Sequence, residues 1–196
     1  MSRYQAIDLS ALRIGAVCRQ PSTYHLVQLD SPAIDVMTDF QTTTPAMIRP
    51  DATVSQAASI MVSRGVRFLF VVNDDDAIIG VVTARDLTGD RATRAVREKG
   101  GNVGELKVDL IMTAQSDMQA MPIEAVMPAK VGDILETLRR VGRQHAIVTE
   151  KHAGSGVDLV RGIFSATHIG RRLGVPVASF EVAKTFEEIH AALADT

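Results

Sequence analysis

The sequence contains no tryptophan, and aromatic residues make up only 4% of its 196 residues. Because 46% of the residues are hydrophobic, a packed core can form, and it must be built mainly from aliphatic side chains. The single cysteine, Cys18, excludes an internal disulfide, and no spacing of cysteine and histidine resembles a zinc site. No set of nucleophile, base and acid is recognisable. The sequence therefore predicts a protein that is not an enzyme and needs no metal or resident cofactor.

Charge and hydropathy exclude further classes of protein. The formal net charge is only −2, which argues against a general nucleic-acid binder, since such proteins usually present a basic face. No window approaches 18 uninterrupted apolar residues, so no membrane span is predicted. The N-terminal residues lack the basic-then-apolar pattern of a signal peptide. We therefore expect a cytoplasmic protein.

A duplicated pattern organises the chain. The segment TVSQAASIMVSRG at residues 53–65 matches the segment KVGDILETLRRVG at residues 130–142, at an offset of 77 residues. Both segments carry apolar residues at helical spacing and end on a glycine, which is typical of a helix that ends in a left-handed conformation. Internal repetition of this kind predicts one structural unit present twice.

The offset between the copies grows further along the chain. Gly80 and Gly162, each in a second β-rich run, lie 82 residues apart. The five extra residues are expected in a polar, glycine-rich hairpin loop at residues 151–158. Two apolar runs with a polar turn between them are typical of a hairpin in both copies.

Each copy is predicted to have the order β-α-β-β-α. The first strand is expected at residues 46–48 in one copy and at residues 123–126 in the other. A single unit of this size cannot bury both faces of its small sheet. We therefore predict an α/β (α+β) fold in which two repeats pack together with pseudo-twofold symmetry.

The flanking segments do not repeat. In the tail, a strand is expected at residues 177–182, followed by a helix that begins with a capping box formed by Thr185 and Glu188. The expected divisions of the chain are an N-terminal extension at 1–32, the first repeat at 33–89, a linker at 90–108, the second repeat at 109–173 and a C-terminal strand and helix extension at 174–196.

The motif GVVTARDL at residues 80–87 places a strand directly before a helix. The unpaired amides of a first helical turn suit a phosphate, and the hydroxyl of Thr83 can donate to a phosphate oxygen. An ionised Asp86 only accepts hydrogen bonds, so it suits the two hydroxyls of a ribose, and Arg85 can add charge toward a di- or triphosphate. Thr83 and Asp86 also fit a helix capping box, and the two roles can coexist.

The equivalent motif in the second copy, GIFSATHI at residues 162–169, departs from this pattern. Ser165 retains a hydroxyl for a phosphate, but His168 stands where the acid was. A neutral histidine can accept one hydrogen bond, and a charged one can meet a phosphate. Ser165 and His168 are therefore candidate ligand-binding residues, and the second turn either retains nucleotide binding, is used differently or is degenerate.

The doubled β-α-β-β-α order, the VMT and IMT segments at residues 36–38 and 111–113, and the two strand-to-helix turns resemble a pair of CBS (cystathionine-β-synthase) domains, or Bateman module. The resemblance covers roughly residues 33–173. It implies regulatory binding of AMP, ADP, ATP or S-adenosylmethionine in clefts between the repeats. It also implies pairing of modules, here a homodimer, and control of a partner such as an enzyme or transporter.

The resemblance also implies where an adenine ring lies, against apolar side chains of the strands. The matching positions are Met47, Ile48, Phe70 and Val71, each of which can instead be part of the core. An alternative function is a structural or dimerisation module in which both clefts are degenerate and unoccupied.

Overall fold

The computed structural model describes residues 7–18 and 27–175. The first copy contains β1 (Thr38–Asp39), β2 (Met47–Ile48), α1 (Val54–Arg64), β3 (Phe68–Val72), β4 (Ile78–Thr83) and α2 (Ala84–Thr88). Helix α3 (Asp90–Lys99) follows in the linker. The second copy contains β5 (Thr113–Ala114), β6 (Ala120–Pro122), α4 (Ile123–Val126), α5 (Val131–Arg140), β7 (His145–Lys151), β8 (Asp158–Ser165) and α6 (Ala166–Arg172). The predicted β-α-β-β-α order is present in both copies.

The strands form two four-stranded sheets of equivalent topology. One sheet has the order β2-β3-β4-β5 and the other has the order β1-β8-β7-β6. In each sheet the strand before the long helix pairs in parallel with the first hairpin strand, and all other pairs are antiparallel. The hairpin register shifts after Val71 in one sheet and after Val148 in the other, 77 residues later. The predicted α/β fold with two symmetry-related repeats is confirmed.

The shortest strands exchange between the repeats. Strand β5 is the first strand of the second repeat but pairs with β4 of the first repeat, and β1 is the first strand of the first repeat but pairs with β8 of the second. Neither sheet is complete without a strand from the other repeat. The repeats therefore fold as one unit, and the divisions proposed along the chain remain predictions.

Gly80 and Gly162 make these exchanges possible. A β-carbon built on Gly80 would lie 2.6 Å from the carbonyl oxygen of Thr113, and one on Gly162 would lie 2.6 Å from the carbonyl oxygen of Thr38. The sulfur of the methionine before each threonine would lie 2.9 Å from the added atom. Only glycine allows the crossing backbone to approach this closely.

The long helices begin and end as their residues predict. Thr53 accepts a hydrogen bond from the amide of Gln56, and the Gln56 side chain accepts one from the amide of Thr53, which completes a capping box at the start of α1. Gly65 and Gly142 follow the last turns of α1 and α5 with left-handed φ angles of 64° and 63°. The expected apolar stripe of α5 is fully buried.

The core has three layers, because each sheet is covered by helices on one face and by the other sheet on the second. The side chains under the helices of the first repeat form one cluster, and those under the helices of the second repeat form another. A third cluster lies between the sheets, and its buried members are Phe70, Val72, Val81 and Ile147. The site described below lies at the edge of this inter-sheet layer.

The prediction of a strand at residues 123–126 is wrong. These residues form the short helix α4, and the strand, β6, lies immediately before that helix. The register of Met121 with Val148 matches that of Ile48 with Val71, so the offset before the long helices is 73 and not 77. The second copy has gained four residues there, about one helical turn.

The longer hairpin of the second repeat is mostly strand. Residues 151–158 were expected to form a loop, but Lys151 and Asp158 still pair as strand residues, and their side chains form an ion pair of 2.6 Å. The turn itself spans only residues 152–157. Most of the extra residues therefore lengthen β7 and β8, where Glu150 pairs with Leu159 and Lys151 pairs with Asp158.

Two expectations concern the flanks. The strand expected at residues 177–182 and the helix expected to begin at Thr185 and Glu188 lie outside the described residues.

Within the part of the chain that the structure describes, no helix combines the length and apolar character needed to cross a membrane.

We predict that Gly80→Ala and Gly162→Ala each lower the free energy of unfolding by about 1–3 kcal/mol, because the new methyl group must displace a backbone carbonyl. Urea unfolding monitored by circular dichroism measures this. Gly132→Ala is the matched control, since its added β-carbon would lie 3.5 Å from the nearest atom and alanine favours the helix. Equal stability of Gly80→Ala and Gly132→Ala would contradict the role assigned to the close approach.

Candidate functional site

A cavity of about 800 Å³ lies between the two repeats. One part of its wall comes from the end of β4 and from α2, and another comes from the segment around β5 and from the start of β7. Its lining residues are Arg67, Phe68, Val81, Thr83, Ala84, Arg85, Asp86, Thr88, Arg91, Thr113, Asp117, Met118, Gln119, Gly142, Arg143, Gln144, His145 and Ile147. The cavity is large enough for a nucleotide-sized molecule.

Thr83 and Asp86 are brought together on the wall of this cavity. Oδ2 of Asp86 accepts a hydrogen bond of 2.8 Å from the amide of Thr83 and another of 2.7 Å from its hydroxyl. The bond from the amide belongs to the capping arrangement that the sequence allowed as an alternative, and the bond from the hydroxyl joins the two side chains. A carboxylate offers about four acceptor positions, so these two bonds leave capacity for a ligand hydroxyl.

Helix α2 is short, which changes how a phosphate can be held. It contains only five residues, Ala84–Thr88, and Gly89 interrupts the backbone before α3 begins. So short a helix supplies little of the dipole that favours an anion at a helix start. Any strong attraction for a phosphate in this cavity must therefore come from side chains.

Charged side chains of the lining supply that attraction. Within the described lining, four arginines, Arg67, Arg85, Arg91 and Arg143, face two aspartates, Asp86 and Asp117. The excess of positive charge favours an anionic ligand, and guanidinium groups match phosphate oxygens in geometry.

Arg91 also holds the crossing strand in place. Its Nη1 donates to the carbonyl oxygen of Met112 at 2.9 Å and to Oγ1 of Thr113 at 3.1 Å. Because Arg91 lies on α3, the linker is fastened to β5 at the rim of the cavity. The linker therefore takes part in shaping the site.

Apolar side chains form a second region of the wall. Phe68, Val81, Met118 and Ile147 line the cavity beside the inter-sheet core. Such a surface suits a flat heteroaromatic ring, while Thr83 and Asp86 suit hydroxyl groups. The cavity thus combines apolar, hydroxyl-binding and cationic groups.

His145 lies at the junction of the two repeats. Its ring contacts that of Phe68, the equivalent residue of the first repeat, with centroids 5.3 Å apart. Burial, reinforced by the charge of Arg67, lowers the pKa of His145 to about 4. The histidine is therefore neutral near pH 7 and presents one donor and one acceptor nitrogen.

The second strand-to-helix turn is placed differently. Neither Ser165 nor His168 is among the lining residues of this cavity. His168 is half-buried, and burial, followed by the charges of Arg172 and Arg171, lowers its pKa. Arg161, on β8 before this turn, forms ion pairs with Asp39 at 2.9 Å and with Glu150 at 3.2 Å.

One residue of the cavity wall in the second repeat has an aromatic residue as its equivalent in the first repeat. Ile147 lines the cavity, and its equivalent in the first repeat is Phe70, which is only 2% exposed. Phe70 makes edge-to-face contacts with Phe40 and Phe68, with ring centroids 5.7 and 4.9 Å apart. The two sides of the inter-sheet layer are therefore not equivalent.

The first repeat matches a family model. The model of the CBS domain matches residues 34–90, which include β1 to α2 and hence Thr83 and Asp86. The chain resembles a tandem pair of such domains, as its sequence indicated. No curated protein matches the chain.

Solved structures show the fold. A conserved CBS-domain protein of unknown function from Thermoplasma acidophilum is 17% identical, with a TM-score of 0.51 over 82% of this chain and 74% of its own. An uncharacterized conserved protein from Pyrococcus horikoshii is 21% identical, with a TM-score of 0.52 over 74% and 93%. A proposed archaeal homolog of g-AMPK from Methanocaldococcus jannaschii is 17% identical, with a TM-score of 0.51 over 71% and 49%. The chain thus has the fold of a CBS-domain pair.

Four residues that the resemblance predicted to contact the adenine ring are not among the lining residues of this cavity. Ile48 and Val71 are buried under the helices of the first repeat, Phe70 lies between the sheets, and Met47 is 43% exposed on β2. Successive residues of a strand face opposite sides, so Phe70 and Val71 lie on opposite faces of the first sheet. Their role in binding a ligand remains a prediction.

Residues that the sequence did not single out complete the lining. Met118 and Gln119 reach it because β5 crosses to the first sheet, and Arg143 and Gln144 reach it because the start of β7 lies near the pseudo-twofold axis. The exchange of short strands has no local sequence signal. Strand alternation and the 77-residue offset could have pointed to Phe68 and His145.

We predict that His145 makes the protein less stable in mild acid. Its pKa in the folded state, about 4, lies below the ordinary value of 6.5, so the unfolded chain binds the extra proton between these values. The stabilising contribution is complete above about pH 6.5 and is lost as the pH falls toward 4. The free energy of unfolding should therefore be about 2 kcal/mol lower at pH 5 than at pH 7.5, as measured by urea titration at both pH values.

His145→Gln should reduce this dependence on pH, because glutamine does not titrate. His152→Gln is the control, since His152 lies exposed in the β7–β8 turn. The same loss of stability in His145→Gln and in the wild type would refute the assignment.

Proposed function

We propose that this chain is a regulatory module that binds an adenosine-containing ligand, AMP, ADP, ATP or S-adenosylmethionine, in the cavity between its repeats. The observation that carries the proposal is the position of Thr83 and Asp86 on the wall of an inter-repeat cavity with apolar and cationic regions. Asp86 would accept from the ribose hydroxyls, and Thr83 and Arg85 would meet the next group of the ligand.

Regulation would follow from the composition of the cavity wall. Lining residues come from both repeats and from Arg91 in the linker, so a ligand contacts all three parts. A ligand shifts a conformational equilibrium only by its difference in affinity for the two states. A ligand that prefers one arrangement of the repeats would transmit its presence to a bound enzyme or transporter, the partner we propose. A cytoplasmic location remains a prediction from the sequence.

The two strand-to-helix turns would have different roles. Three residues after Ser165 the chain has His168 and not an acid, and Phe70 occupies the position in the first repeat that is equivalent to Ile147 in the second. We therefore propose one adenosyl site per chain, at Thr83 and Asp86.

A structural module without ligand is the second candidate. It is favoured by the hydrogen bonds that Asp86 already makes to Thr83, which give the acid a role in capping α2. Under this reading, Asp86 substitutions change stability and nothing else.

We predict that isothermal titration calorimetry with AMP, ADP, ATP, NADH and S-adenosylmethionine detects at least one ligand, at one molecule per chain. Asp86→Asn should weaken that ligand about tenfold or more, because a charged acceptor for the ribose is lost. Asp75→Asn, in the exposed β3–β4 turn, is the matched control.

Two results would count against this function. One is the absence of heat and of any thermal shift with all five ligands, which supports the structural module. The other is unchanged affinity in a folded Asp86→Asn protein.

We also propose that the protein is a homodimer, as the resemblance implies. Val62 on α1 and Met127 after α4 are apolar side chains exposed at 83% and 59%, and such a contact would cover side chains of this kind. Light scattering after gel filtration should give about twice the chain mass of 21.1 kDa. A mass equal to that of one chain at micromolar concentration would disprove the dimer.

A further inference from the structure

We infer that the protein dimerises by exchanging its N-terminal arms, residues 7–18, each of which packs on the surface beside helix α4 of a second copy of this chain. The inference rests on the proposed homodimer and not on the proposed ligand, and it names the two surfaces that meet.

The arm presents apolar side chains that its own chain leaves uncovered. Every residue of the arm is exposed. A tight turn is closed by a hydrogen bond of 3.2 Å from the amide of Ala16 to the carbonyl oxygen of Arg13, and Gly15 within it has a left-handed φ of 89°. Apolar residues concentrated in this way on a surface are typical of a contact with another molecule. The aliphatic side chains of the arm that are at least 88% exposed are Ile7, Leu9, Leu12, Ile14 and Val17.

The area of these side chains is sufficient for a stable dimer. Burial of one aliphatic side chain removes about 60–120 Å² from water, so one arm would bury about 300–600 Å². Two arms and the two surfaces that receive them would bury about 1,200–2,400 Å², the range of stable protein–protein interfaces. One arm docked in one direction would bury half of that area, which favours reciprocal exchange between two copies.

The receiving surface is assigned from a feature that only the second repeat has. Helix α4 is the turn that the second copy has gained, and the residues at its end, Ala125, Met127 and Pro128, are apolar and exposed. Leu29 is 41% exposed, and its carbonyl oxygen accepts a hydrogen bond from the amide of Gly132 at the start of α5. Leu29 and Met127 therefore both border residues 129–132, and together they can receive an apolar arm.

The arm begins beside this surface. Val27, which follows the arm in the chain, donates from its amide to the carbonyl oxygen of Arg172 and lies two residues before Leu29. Residues 19–26 connect Cys18 to Val27, and a chain of this length spans at most about 32 Å. In a twofold dimer each arm would begin near the surface that receives the other arm, so one short connection serves both crossings.

Charge complements the apolar contact. Arg13 is exposed between Leu12 and Ile14 on the arm, and Glu124 is exposed on α4. Glu124 lies three residues before Met127, and residues three apart on a helix share a face. The acid therefore flanks the receiving surface, where it can pair with Arg13 of the other copy.

The test measures the dissociation constant of the dimer for the full chain by analytical ultracentrifugation. Leu12→Ser combined with Ile14→Ser, and Met127→Ser alone, should each weaken the dimer about tenfold or more, because apolar burial is lost at both contacts. Val157→Ser, in the exposed β7–β8 turn, is the matched control and should leave the constant within about twofold. The altered side chains are exposed in the single chain, so the variants should fold, and thermal melts verify this.

Reversal of the charges tests whether the contact joins two chains. Arg13→Glu and Glu124→Arg should each weaken the dimer about fivefold or more, since like charges then meet at both contacts. An equal mixture of the two variants should recover an affinity within about threefold of the wild type, because a mixed dimer pairs an acid with a cation at both arms. An arm that packs on its own chain would gain nothing from mixing.

The outcomes separate this inference from the homodimer on which it rests. If the protein is a monomer at micromolar concentration, both fail. If Val62→Ser weakens the dimer and the arm variants do not, the homodimer stands and the arm exchange is wrong. If the arm variants weaken the dimer but Met127→Ser does not, or if mixing restores nothing, the arm does not pack beside α4 of a second copy and the inference is overturned.

Discussion

The close backbone contact between β5 and β4, and its counterpart between β1 and β8, is the constraint on which the rest of the structure depends. Each contact requires a glycine, Gly80 or Gly162, because a β-carbon there would lie 2.6 Å from the crossing carbonyl oxygen. The contact completes each sheet with a strand from the other repeat. The same contact places Met118 and Gln119 at the cavity wall, so it both completes the sheets and forms part of the site.

The duplication gives the repeats one architecture, and small differences between them give unequal sites. Thr83 and Asp86 face a cavity, whereas Ser165 and His168 are not part of that cavity's lining. Between the sheets, the larger Phe70 stands where the other repeat has Ile147, and it packs on two further phenylalanine rings. The fold tolerates this asymmetry because the strand ladders do not depend on those side chains.

Much of the fold was predictable because its signals are local. Apolar stripes and glycine ends predicted α1 and α5, and matching segments at a constant offset indicated the repeat. The strand of the second copy was misplaced because the inserted turn at α4 shifted the offset by four residues. An insertion between two matched segments changes the offset between the copies but does not change the sequence of either segment.

The sequence by itself determined that one β-α-β-β-α unit occurs twice and that Thr83 and Asp86 lie three residues apart at a strand-to-helix turn. Hydrophobic period and turn chemistry act over a few residues, so they can be read along the chain. Only the tertiary structure decided which side chains share the cavity with this pair. Arg91, Met118 and Arg143 reach it through strand exchange and sheet packing, which join residues far apart in the sequence. Such pairings depend on the burial of whole sheets, and no local pattern encodes them.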